Sequence, residues 1–198
     1  MATTLPVKVE FSLPEGWQSA PPDEVGAPGV AFVALHPDSR DGFTANITIA
    51  GKLRGEGDTA TGEGDTATGE GDLATGEGDL ATGEGDLATY AGDLVAIADE
   101  SVQRLSEAAT VRVAKRTHVG TLEAPGFTQT LRISTTLRGW PLDLVQSQVY
   151  LVMQDVHDPA KRAVIELALT ARPSQLDAVA DDFKEFVRSF RPAEPAAA

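Results

Sequence analysis

Three histidines are the residues best equipped for acid–base or metal chemistry, and each lies in a different stretch: His36 in HPD, His118 beside Arg116, and His157 in VHDP. A zinc centre needs three or four ligands and usually draws two of them from one short segment, such as two His on one helical face. The chain has no such pair, and His36, Asp38, His157 and Asp158 converge only if two separate loops meet. In those turn-like settings His and Asp are ordinary loop material. A serine hydrolase would need a nucleophile on a strained G-x-S-x-G turn, and none is present. With no Cys in the chain, thiolate nucleophiles, thiolate metal sites and disulfides are excluded. The neighbouring carboxylates Asp181 and Asp182 fall on the polar side of a helical pattern, where solvation is the expectation. The sequence therefore predicts a non-enzyme with no catalytic residue, no metal site and no cofactor. An unrecognised hydrolase or metal-dependent enzyme built from the His and Asp loops is the remotest alternative.

The most conspicuous stretch, residues 55–89, consists of five consecutive copies of GEGD[TL]AT. Glycine-rich loops cradle phosphate through bare amides and a Lys, whereas here acid follows each glycine and would repel the anion. Leu73, Leu80, Leu87 and Leu94 recur every seven residues, but two Gly per unit each cost about 1 kcal/mol against Ala in a helix, which opposes a coiled coil. The unit also differs from the nonapeptide of calcium-binding β-rolls. Little to bury and two like charges per unit predict a flexible, extended insertion. The following YAGDLVAIA repeats the G-D-L phrase in phase, so the array reads as an expansion of a helix-start sequence.

Elements must position whatever chemistry remains. Val7, Val9, Phe11 and Leu13 alternate with polar residues, which predicts a half-buried strand, and Trp17 to Pro28 reads as a loop. Val30–Leu35 and Phe43–Ile49 supply two further strands joined by the turn HPDSRDG. From Asp93, read as an N-cap, to about Ala109 the period becomes three and four, with Leu94, Ile97, Ala98, Val102 and Leu105 on one stripe. Strands are predicted at Val111–Val119, Phe127–Leu137, Leu142–Gln154 and Arg162–Ala171, with short Gly- or Pro-bearing connections. Leu176, Val179, Phe183, Phe186 and Phe190 mark a terminal helix, with Ser174 and Asp177 as a capping box. Pro192 ends it. The prediction is an α+β fold, a mainly antiparallel seven-stranded sheet with two amphipathic helices packed on it in the order β-β-β-α-β-β-β-β-α. It forms a single domain over residues 1–192, interrupted at 55–89, with a disordered tail at 193–198.

A net charge of −14 belongs mostly to the repeat, which holds ten of the thirty acidic residues and leaves the body near −4. Affinity for nucleic acid comes chiefly from Lys and Arg displacing counterions, so nucleic acid is not an expected partner. No run approaches about 18 apolar residues, and the N-terminus carries no basic segment followed by an apolar one. We expect a soluble cytoplasmic protein without membrane insertion. Eleven Arg against five Lys, with abundant Ala, Gly and Val, suggest a G+C-rich bacterium.

The phrases FSLPEGWQ, GFTANITI, DLVAIADESVQRL, LVQSQVYLVMQD and RAVIELALTA, in that order, resemble the PsbP-like α/β/α sandwich superfamily, and in particular its actinobacterial LpqN-type branch. Members of that branch are often exported lipoproteins, whereas this chain shows neither a signal peptide nor a lipidated Cys. The resemblance covers most of the body and implies a binding, adaptor or chaperone-like role with another protein as partner, and transfers no site residue. For contact with a partner the residues singled out are Trp140, in the turn RGWP, and Gln146 and Gln148, which make one strand face partly polar. Trp140 could equally pack on its neighbouring strand, and Trp17 is expected to close the end of the sheet. The alternative is a carrier of a small apolar ligand or lipid, motivated by the Val, Leu and Phe of both helices.

Overall fold

The computed structural model describes residues 3–40, 42–54, 84–121, 124–155 and 162–193. In chain order the elements are β1 (Val9–Glu10), β2 (Gln18–Ala20), β3 (Phe32–Arg40), β4 (Thr44–Arg54), α1 (Glu84–Ser106), β5 (Thr110–Gly120), β6 (Pro125–Leu137), β7 (Trp140–Gln154), β8 (Arg162–Ala171), α2 (Leu176–Ser189) and β9 (Arg191–Pro192). Seven strands form one sheet in the order β2-β3-β4-β8-β7-β6-β5, and β1 pairs separately with β9. Every pairing is antiparallel. The class and element order are those the sequence predicts. β8 returns to insert between β4 and β7, which joins an N-terminal meander to a C-terminal one.

The alternation of β8 sets the layers. Ala163, Ile165, Leu167, Leu169 and Ala171 share a core with Val179, Phe183 and Phe186 of α2. Val164, one residue out of phase, packs instead with Leu94, Ile97 and Ala98 of α1. Successive strand residues point to opposite faces, so the two helices lie on opposite sides of the sheet. A strand covered on both faces reads as a nearly unbroken apolar run, as RAVIELALTA does.

Several local expectations are corrected. The alternating segment Val7–Leu13 joins the large sheet nowhere: only Val9 and Glu10 pair, with Pro192 and Arg191. Its apolar face is nonetheless used, for Val7 is buried and Val9, Phe11 and Leu13 pack on the α2 core. The first strand of the large sheet is Gln18–Ala20, inside the stretch read as a loop, because three residues are too few to show a period. Asp93 is not an N-cap, since α1 begins at Glu84, within the last repeat unit. Four copies of the unit, residues 55–82, lie outside the described residues, as does the tail from 194, so the expectations placed there concern no described structure.

A further correction concerns α2. Its N-cap is Gln175, which makes no side-chain cap hydrogen bond, in place of Ser174. Buried to 6% exposure, Gln175 donates through Nε2 to the carbonyls of Ser39 and Phe43, and its Oε1 accepts from the Arg172 backbone N–H. The side chain thus ties the start of α2 to the β3–β4 connection. HPDSR, read as a turn, continues β3 through a register shift between Leu35 and Arg40.

Candidate functional site

The two described histidines do not assemble. His36 lies on β3, its ring edge-on to Trp17 at 5.2 Å, and its buried Nδ1 has no hydrogen-bond partner. His118 lies on β5, exposed, 5.1 Å from the Phe127 ring. The two strands are five positions apart in the sheet, about 24 Å at the usual interstrand spacing, too far to share a metal. His157 is outside the described residues. Among the described residues no three His, Asp or Glu side chains cluster as metal ligands. Trp17 is buried and donates its indole N–H to Asp182 at 3.0 Å, so Asp182 has a structural use while Asp181 pairs in solvent with Lys184.

Gln146 and Gln148 belong to a polar cluster beneath α1. The β6–β7 register sets Gln129 opposite Gln148 and Phe127 opposite Tyr150. Gln129 donates through Nε2 to the Ala98 carbonyl at 3.1 Å and to Gln148 Oε1 at 2.5 Å. Tyr150 donates its hydroxyl to the same Gln148 oxygen at 2.8 Å. Gln148 Nε2 in turn donates to Ser101 Oγ at 3.0 Å and to Gln146 Oε1 at 2.7 Å. Gln146 passes its amide on to Thr170 Oγ1 at 2.8 Å. At the outer end Arg116 donates to Gln129 Oε1 and meets Asp99 at 2.6 Å.

Both oxygen lone pairs and both N–H groups of Gln148 are therefore occupied, and it is 1% exposed. It holds α1 to the sheet and, with the helix docked, presents nothing to a partner; Gln146 is half-buried beside it. Burial raises the Tyr150 pKa, and the Glu166 charge on the adjacent strand adds to this, so the phenol keeps the proton it donates.

Trp140 stands apart, six residues before Gln146 and so about 20 Å along β7. Arg138 and Gly139 both take positive φ, 52° and 85°, and make a two-residue turn that pairs Leu137 with Trp140. This turn type matches the twist of its strands and demands residues tolerant of positive φ, which Gly139 is. Trp140 is 77% and Leu137 47% exposed, so the hairpin ends in an apolar tip.

A third feature was not singled out from sequence. Glu166 of β8 faces the α1 side of the sheet at the edge of a cavity of about 240 Å³, with its side chain 20% exposed. Burial raises its pKa, opposed by Arg104 and Lys52. A carboxyl whose pKa is higher in the folded than in the unfolded chain binds its proton more tightly when folded, so stability is lost as pH rises past about 4.3 and through the raised value. Glu166→Gln should accordingly melt together with the parent below about pH 4 and at higher temperature than the parent near neutrality. A thermal-melt series across that range in which the advantage shrinks toward neutral pH would contradict this.

Fold and sites define a three-layer α/β/α domain whose polar side chains are largely bonded to one another, with an exposed apolar hairpin tip. Among solved structures, LpqN of Mycobacterium tuberculosis, a protein involved in cell envelope biogenesis, matches with a TM-score of 0.53 at 10% identity, over 96% of this chain and 86% of LpqN. Cyanobacterial PsbP from Synechocystis matches at 16% identity and a TM-score of 0.48, over 93% of this chain and 86% of that one. The fold is similar to that of LpqN, in agreement with the resemblance carried by the sequence phrases. No family model and no curated protein sequence matches the chain. No helix among the described residues is long and apolar enough to cross a membrane.

Proposed function

We propose that this chain is a non-catalytic protein-binding module, adaptor- or chaperone-like, working in a bacterial cytoplasm and engaging its partner through the tip of the β6–β7 hairpin. The observation that carries the reading is the exposed Leu137–Trp140 pair on a tight two-residue turn. Binding hot spots are enriched in Trp, and an anchor held on a paired hairpin loses little conformational freedom when it docks. Gln146 and Gln148 support the tip only indirectly, by fixing the sheet to α1.

Trp140→Ala should weaken partner binding by about ten- to a hundredfold, the usual consequence of removing a hot-spot tryptophan. Stability should change by no more than about 0.5 kcal/mol, since the side chain is mostly in water. The measurement is affinity capture from the source cell with parent, Trp140→Ala and Leu137→Ser baits, combined with melts of each. Recovery of the same proteins at equal yield by all three baits would remove the hairpin tip from the binding role.

A further inference from the structure

β4 and β8 are large on one face and small on the other. Toward α2 they present Ile47, Ile49, Ile165 and Leu167; toward the opposite side the paired residues are Thr48, Ala50, Glu166 and Ala168. α1 packs chiefly over β5, β6 and β7 and flanks this second face of β4, where Glu100 pairs with Lys52. Small side chains leave a bay of about 240 Å³, walled by α1 on one side and by Pro28, Gly29 and Val30 on the other. Its volume is below the roughly 300–1,000 Å³ of sites for drug-sized ligands, so an occupant is small.

The bay holds one acid and two bases. Glu166 is four-fifths covered, yet its nearest cation, Arg104 Nη2, is 3.9 Å away, beyond hydrogen-bond distance, and no donor among the described residues reaches its carboxylate. A sheltered carboxylate without a donor is costly, and an ammonium group supplies what it lacks. Lys52 lies two residues beyond Ala50 on the same face and bridges to the exposed Glu100 at 3.0 Å. Arg104 donates to Ser101 Oγ at 3.4 Å and stands in a long, 3.9 Å ion pair with Glu166. Both bases therefore hold partners that an anion at the bay could replace cheaply, because exposed ion pairs contribute little. Ala50, Ile97 and Val164 give the bay an apolar portion of its wall.

We propose that this bay binds a small amino-acid-like zwitterion, its ammonium on Glu166, its carboxylate toward Lys52 and Arg104, and a short aliphatic body against Ala50, Ile97 and Val164. The site is separate from the hairpin tip and stands or falls independently of it. Burial raises the Glu166 pKa against the opposing charges of Arg104 and Lys52, as expected of a covered carboxyl at the bay wall.

The test uses the full chain with labelled methyl groups, titrated with L-leucine, with isoamylamine, which lacks the carboxylate, and with isocaproate, which lacks the ammonium. L-Leucine should move the Ile97 and Val164 methyl resonances saturably, and each truncated probe should bind at least tenfold more weakly. Glu166→Gln, which preserves shape, should weaken L-leucine at least tenfold while leaving the other core methyl resonances in place. Ala50→Leu, which fills the bay from the opposite strand, should abolish the shifts. Unmoved resonances with L-leucine, equal binding of either truncated probe, or unchanged affinity in Glu166→Gln would each overturn the proposal.

Discussion

Alanine at Phe186 is expected to destabilise the protein by about 3–5 kcal/mol, the largest effect of any single truncation proposed for it. The ring is fully buried at the junction of three parts of the chain. It meets Phe11 of the N-terminal segment edge-on at 5.4 Å and lies 6.4 Å from Phe183 and 6.2 Å from Phe190. It belongs to the same core as Ile47 and Ile49 of β4 and Leu167 of β8. Removing it leaves a void that neither the sheet nor the short α2 can close, so the cavity cost adds to the lost burial. Against a total stability of about 5–15 kcal/mol, such a loss approaches the threshold for folding. Urea denaturation of parent and variant measures it. A loss below about 1 kcal/mol would mean that the N-terminal segment and α2 do not share one close-packed core.

Leucine at Gln148 should cost about 2–4 kcal/mol even though it adds apolar surface to a buried position. The substitution removes the acceptor of the Tyr150 hydroxyl and of one Gln129 N–H, and the donor to the Gln146 oxygen, and leaves Ser101 Oγ only the 3.4 Å bond from Arg104. Each buried group left without a partner costs about 1–3 kcal/mol, and partial rearrangement keeps the total below the simple sum. The damage should be local. Amide exchange in Leu94–Ser106 should quicken relative to α2, because the bond lost to Ser101 is one of those that seat α1 on the sheet. Equal protection of both helices in the variant would show that apolar contacts at Leu94, Ile97 and Ala98 hold α1 without the amides.

Much of this was legible in the residues. LVQSQVYLV places Gln146, Gln148 and Tyr150 on one face of a strand, and that shared face is real. Its use was not legible, because a Gln on a strand face reads the same whether it meets water, a ligand or another Gln. Only the register that sets Gln129 opposite Gln148, and the helix that lowers Ser101 onto them, turns a polar face into an interior. The Arg138–Gly139 turn was recognisable as a hairpin, but whether Trp140 packs or protrudes depends on what covers the hairpin. α1 ends at Ser106, the last hydrogen bond from this region is Thr135 Oγ1 to the Ala108 carbonyl, and Leu137 and Trp140 lie past it. Glu166 was hidden in an apolar run and carried no motif.

The sequence by itself determined the α+β class, the order of the main elements and the buried face of the alternating strands and of both helices, because periods of two and of three to four are local properties of a segment. It also placed ten of the acidic charges in the repeat. The tertiary structure alone decided that β8 lies between β4 and β7, that Gln148 faces Ser101, and that small residues on β4 and β8 leave Glu166 at an open bay. Each of these depends on two or more segments distant in sequence meeting at a particular register, and no segment's own pattern encodes what will stand opposite it.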